Sequence, residues 1–321
     1  MTTRSRLLAA ALLGAALSTA PAAAQTFPDK PLKLLIGFAP GSSADVTSRI
    51  MADEMGKALK QPVIVEIRAG AASNIAADAV IKAAPDGYTI FLASAANVIS
   101  KAMRQSASVD IGKELKAVAL LCAVPNILVV NNDVKATSVK ELIALAKAEP
   151  GKLNYGSPGP GTIPHLSGEL LNVMAGVKTV HVAYKGTAQA AQDILGGTLQ
   201  LMFAPSSTVL ELIAAKKLRG LAWTITTRGP ALPDLPTMAE TLPGFDTSIW
   251  FGLNVPATTP DAIRDRLAAV ATEAARSPAV TKAFRTQGIE PMIGGPAQYD
   301  KYIASETTKW TDVVAKAGLV K

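Results

Sequence analysis

The sequence predicts an α/β protein of two lobes that face a common cleft. Three observations carry that expectation. Strand and helix patterns alternate along the chain, which builds a parallel, right-handed sheet covered by helices. One device, an apolar strand that feeds a glycine turn and then a helix, occurs twice, at 32–59 and at 153–174, about a domain's length apart. No low-complexity linker divides the 321 residues. The two units are therefore expected to be discontinuous, with the chain crossing between them more than once.

The first 24 residues have the pattern of a secretory leader. Arg4 and Arg6 precede an apolar core at 7–17, and Ala22-Ala23-Ala24 offers a cleavage site after Ala24. The apolar core is too short to span a bilayer, and no cysteine follows the site for a lipid anchor. An exported protein is expected, which in a bacterium places it in the periplasm.

The strand at 33–38 is apolar on both faces, as a strand covered by helices on two sides should be. Pro40-Gly41 supplies the turn, Ser42 or Ser43 the N-cap, and Asp45 the acidic first turn. Val46, Ile50, Met51, Met55 and Leu59 then recur at helical spacing. Free N–H groups and a partial positive charge at such a helix start can hold an anion without a cationic side chain. An ordinary βα turn that binds nothing has the same pattern.

A strand follows at 63–67, a small-residue turn at 69–74, and a helix at 75–84 that stops at Pro85-Asp86-Gly87. The strand at 88–93 ends in the polar turn Ser94-Ala95-Ala96-Asn97. Ligands on such sheets sit at the carboxyl ends of the strands, where these three turns gather. Strands are expected at 116–124 and 127–130, then a helix at 138–148 opened by a Ser138/Glu141 capping box. The second device has its glycine turn at 156–161, Thr162 as cap, Pro164 in the first helical turn, and Leu166, Leu170 and Met174 as the apolar face. Strands at 179–183, 199–203 and 218–225 alternate with helices at 188–195 and 209–216. A proline-rich loop covers 228–242, a strand at 250–255 crosses back to the first unit, and helices at 260–276, 278–286 and 296–317 complete the chain.

Composition narrows the function. The net charge is +7, two of it from Arg4 and Arg6, the basic residues are scattered, and aromatics are 5%. That gives no nucleic-acid track. His165 and His181 are the only histidines, and metal-ligand motifs are lacking, so no metal or other cofactor is expected. Cys122, the one cysteine, sits in an apolar run and reads as an inert buried thiol. Ser42, Ser43, Ser94 and Ser157 are candidate donors to a ligand, with turn and cap chemistry as the competing role. Asp45 is a poor partner for a carboxylate and suits holding the turn's N–H groups. No Gly-x-Ser-x-Gly elbow supports the alternative of an exported serine hydrolase using His165.

One set of motifs falls in order along the whole chain past the leader: 38–45 (Phe-Ala-Pro-Gly-Ser-Ser-Ala-Asp), Asn74-Ile75, 84–89 (Ala-Pro-Asp-Gly-Tyr-Thr), Gly161-Thr162 with His165-Leu166, Tyr184-Lys185-Gly186, Gly196-Gly197, 231–237 (Ala-Leu-Pro-Asp-Leu-Pro-Thr) and Trp250-Phe251-Gly252-Leu253. In these the chain resembles the tripartite tricarboxylate transporter substrate-binding proteins, also called Bug receptors. The resemblance implies a type II periplasmic binding-protein fold, two α/β lobes with a ligand cleft between them. Lobe 1 would take 25–125 and 250–321, and lobe 2 would take 126–249. It implies a monomer that captures a small carboxylate and passes it to the large and small permease subunits of a membrane transporter. A receptor that presents its closed lobes to a membrane signalling partner is the alternative.

The family's ligand carboxylate lies between the two glycine turns. That implicates Phe38, Ala39, Gly41, Ser42, Ser43 and Asp45 in lobe 1, and Ser157, Gly159, Gly161, Thr162 and His165 in lobe 2. Asn74, Ser94, Tyr184 and Ala204 are further candidates, and the wall remote from the carboxylate is expected at 71–74, 94–97 and 204–208. The sequence departs from the family at Ser42, at Ala71-Ala72-Ser73, at Pro158 and Pro160, and at Ala183. An acidic residue that can meet a ligand amine is common where Ala204 stands, so a plain mono- or dicarboxylate is expected over an amino acid.

Overall fold

The computed structural model describes residues 27–104 and 108–320. The leader expected at 1–24 lies outside the described residues. The first stretch runs β1 (Leu32–Ile36), α1 (Ser43–Leu59), β2 (Val63–Ile67), α2 (Asn74–Ile81), β3 (Thr89–Ser94), α3 (Ala95–Ala102), α4 (Ile111–Glu114) and β4 (Leu115–Val130). The middle runs α5 (Val139–Ala148), β5 (Asn154–Ser157), α6 (Ile163–Ala175), β6 (Val180–Ala183), α7 (Thr187–Leu195), β7 (Leu201–Pro205), α8 (Ser206–Ala214) and β8 (Arg219–Trp223). The chain returns through β9 (Ser248–Pro256), α9 (Asp261–Arg276), α10 (Pro278–Thr286), β10 (Glu290–Gly294) and α11 (Pro296–Lys316).

These strands form two lobes that share β4. In the first lobe the order is β2-β1-β3-β9-β4, with β10 antiparallel on the far side of β4. In the second, β4 carries β8 on one side and β7-β5-β6 on the other. Each sheet is packed on both faces. Leu32, Leu34 and Ile36 of β1 meet α1, α9 and α10, while Leu35 turns to the core under α2, α3 and α11. In the second lobe, Leu128 and Val130 meet α5 and α6, and Ile127 and Val129 meet α7 and α8. Strand alternation therefore decides which core each side chain enters.

Three local expectations are corrected. The strands expected at 116–124 and 127–130 are one 16-residue strand, β4. Pro125 stands where β4 leaves β9, at the pair Pro125–Ser248, and joins β7, at the pair Asn126–Pro205. A proline keeps an extended φ and lacks only the ladder N–H, which is tolerable where partners change. The turn expected at 94–97 opens α3, because Asn97 Oδ1 accepts from the Ser94 N–H at 3.1 Å and closes the helix start. Strand β10 was missed, since Pro291 and Gly294 disguise an edge strand with a register shift.

Candidate functional site

A narrow cavity of about 30 Å³ lies between the lobes, room for about two or three water-sized groups. Its walls are the starts of five helices. Ser42 and Ser43 open α1, Ser94 and Ala96 open α3, Thr162 to Pro164 open α6, Thr187 opens α7, and Pro205 precedes α8. Ile249 and Phe251 of β9 close the floor, and Phe38 and Pro158 complete the rim. Among the described residues, no Asp, Glu, Lys, Arg or His lines the cavity. Its charge character comes from the unsatisfied first-turn N–H groups and aligned peptide dipoles.

The first turn is held from within. Gly41 takes φ +76°, a conformation that favours glycine. Its N–H donates to Asp45 Oδ2 at 2.9 Å, and Arg49 Nε donates to Asp45 Oδ1 at 2.7 Å. Ser42 Oγ accepts from the Asp45 N–H at 3.3 Å, and the Ser42 N–H donates to the Ala39 carbonyl at 3.2 Å. Asp45 thus organises the turn, which leaves the N–H groups of Ser43 and Ala44 at the helix start.

The second turn is built differently. Gly159 and Gly161 take φ +119° and +84°. Thr162 Oγ1 donates to the Gly159 carbonyl at 2.8 Å rather than capping α6. The Gly159 N–H donates to Ser157 Oγ at 3.0 Å, and Ser157 Oγ lies 2.6 Å from His181 Nε2. His165 Nδ1 accepts from the Gly161 N–H at 3.3 Å, and the two imidazoles pack at a tilt of 49° with centroids 4.3 Å apart. Burial drives both histidines down to about 4, so they are neutral at pH 7. Behind them Tyr155 donates to Glu169 at 2.6 Å. Ser157 pairs with His181, not His165, and is fully buried. The Ser–His contact therefore braces a turn and offers no exposed nucleophile.

Of the residues the sequence indicated, Phe38, Ser42, Ser43, Ser94 and Thr162 meet at the cavity. Ala39, Gly41, Asp45, Ser157, Gly159, Gly161 and His165 shape its two turns. Asn74 lies behind the wall, where its amide joins Ser100 Oγ at 2.7 Å and Asn97 Nδ2 at 3.2 Å. Tyr184 donates its hydroxyl to Asp193 at 2.6 Å. Ala204 needs correction: it pairs with Ile127 and enters the core under α7 and α8, on the face of the sheet away from the cavity. Its neighbour Pro205 is the one at the wall, as the alternation of β7 requires. Pro205 falls in the 204–208 stretch expected at the wall, whereas Thr187, Ile249 and Phe251 were missed. Thr187 was signalled by its place after Tyr184-Lys185-Gly186 and Phe251 by the Trp250-Phe251-Gly252-Leu253 motif, Ile249 by no local pattern. Cys122 is buried as expected, and burial pushes its thiol up to about 12.

Comparison with known proteins agrees with this architecture. Residues 47–319 match the family described as tripartite tricarboxylate transporter family receptor. Protein BugT of Bordetella pertussis (strain Tohama I) is 36% identical over 302 residues, covering 93% of each chain. A solved structure from R. palustris with adipate superposes with a TM-score of 0.88 at 31% identity, covering 91% of this chain and 98% of that one. MatC from Rhodopseudomonas palustris with bound malate superposes with a TM-score of 0.85 at 27% identity, covering 90% of this chain and all (100%) of that one.

Proposed function

This chain belongs to the tripartite tricarboxylate transporter receptor family, a family of binding proteins rather than enzymes, and from that premise we propose that it is a periplasmic receptor for a small carboxylate. It hands its ligand to the large and small permease subunits of a membrane transporter. Lobe 1 comprises 25–125 and 250–321, lobe 2 comprises 126–249, and the receptor works as a monomer. One observation carries the proposal: five helix starts converge on a cavity that, among the described residues, no charged side chain lines. Each start favours a negative charge by about 0.3–1 kcal/mol, and by up to about 2 kcal/mol when partly buried. Together they offset part of the cost of taking a carboxylate out of water. The adipate and malate held by the two solved relatives suit the same surroundings. With no Asp or Glu at the wall, a ligand ammonium group has no charged partner, which favours a plain acid over an amino acid.

Thermal unfolding against a panel of carboxylates, amino acids and sugars tests the proposal. A ligand of the native state raises the melting temperature, by about 2.7 kcal/mol of stabilisation at a hundred times Kd. A rise with one class of carboxylate is expected. A rise only with sugars or cationic compounds overturns the proposal.

A further inference from the structure

Asn126 is fully buried, and neither its amide oxygen nor its amide nitrogen has a hydrogen-bond partner. It sits on β4 where that strand passes from one lobe to the other. Register fixes what lies beside it. Val124 pairs with Ile249 of β9, and Asn126 pairs with Pro205 of β7. Residues two apart on a strand share a face, and directly paired residues share it too. Ile249 and Pro205 both line the cavity. Asn126 therefore lies on the floor face between two residues of the cavity wall. From the facing lobe, Ser94 lines the same cavity, with its Oγ buried at the start of α3 in the capping box with Asn97.

Such groups are rarely orphaned in a native protein, and a ligand or ordered water usually completes them. Their chemistry defines what completes them. An amide offers N–H donors and a carbonyl acceptor side by side. A carboxylate can satisfy only the donors and an ammonium only the acceptor, whereas a hydroxyl satisfies both. We propose that Asn126 is the specificity residue of the cleft and that it reads a hydroxyl on the ligand, so that the protein selects hydroxycarboxylates over the same acids without the hydroxyl. This rests on the carboxylate reading above and narrows it.

The test is calorimetric titration of the purified protein and of Asn126→Leu with matched pairs of acids, malate against succinate and 6-hydroxyhexanoate against hexanoate. In the wild type the hydroxylated member of at least one pair should bind about tenfold or more tightly, because the plain acid leaves the amide unpaired. In Asn126→Leu that ratio should fall below about threefold, with binding of the plain acid kept or improved. Replacing an unpaired buried amide by an apolar group of similar size should leave the melting temperature no lower. Should the leucine variant not fold, Asn126→Val, a better strand former, is titrated in its place. A wild type that binds acids without preferring the hydroxyl, or a folded variant that keeps the preference, overturns the assignment of Asn126 while the carboxylate reading stands. A wild type that binds neither member of any pair and no other acid of the panel overturns both.

Discussion

Gly186 offers a way to hold the lobes apart without touching the cavity. It precedes α7 in the second lobe, and a Cβ built on it lies 3.1 Å from the Ala39 Cβ in the first lobe's turn. Its φ of −172° is extended backbone that any residue adopts, so substitution strains nothing locally. Gly186→Thr adds a Cβ and two further heavy atoms toward Ala39 while supplying a good N-cap. Carbon atoms prefer about 3.5–4.0 Å, so the contact is overpacked only when the lobes meet. Overpacking costs about 1–3 kcal/mol. Applied to the closed state alone, it weakens ligand binding by about 5- to 150-fold. The assay is calorimetric titration with the tightest acid of the panel, beside thermal unfolding of the ligand-free protein. Melting should be nearly unchanged while affinity falls. Ala39→Gly in the same chain removes the opposing methyl and should restore most of the affinity, a double-mutant cycle across the two lobes. Unchanged affinity in Gly186→Thr, or equal loss with and without Ala39→Gly, would refute the idea that binding requires these turns to meet.

Three further outcomes are expected. Asp45→Ala frees the Gly41 N–H and the Arg49 guanidinium and should cost about 1.5–3 kcal/mol of stability, the range for hydrogen bonds to a charged group, with a further loss of affinity as the turn loosens; thermal melts with and without ligand separate the two. The pH dependence follows from His165 and His181, each lowered from 6.5 to about 4 by burial. The unfolded chain binds these protons more tightly, so stability is complete above about pH 6.5, falls by at most about 3 kcal/mol per ring as the pH drops to 4, and levels off below; melting across that range should show the slope, and His181→Gln should cut it to about half. Gly168→Ala places a Cβ about 2.2 Å from the Tyr155 ring, a buried side chain with no room to retreat, and should lower stability by about 1–3 kcal/mol or more, read from the denaturation midpoint.

Much of this arrangement was legible in the residues because the legible parts are local. A strand apolar on both faces, a Pro-Gly turn and a serine cap are written within fifteen residues, and both glycine turns follow that grammar. Asp45 took the turn-holding role its position indicated. What escaped depends on which strand lies beside which. Pro205 rather than Ala204 faces the cavity because β7 pairs with β4 in one register. Ile249 and Phe251 form the floor because β9 returns between β3 and β4. The partnership of Ser157 with His181 joins residues 24 positions apart through the parallel pairing of β5 and β6. No spacing along the chain carries such information, which appears only once the sheet order is known.

The central claim is that helix starts, not side-chain cations, hold an anion between the lobes. It is tested most directly by calorimetric titration of the protein with the tightest acid of the panel and with its uncharged amide of the same shape. The acid should bind and the amide should bind at least about a hundredfold more weakly, the loss of several helix-dipole interactions of up to about 2 kcal/mol each. Equal binding of acid and amide would contradict the claim.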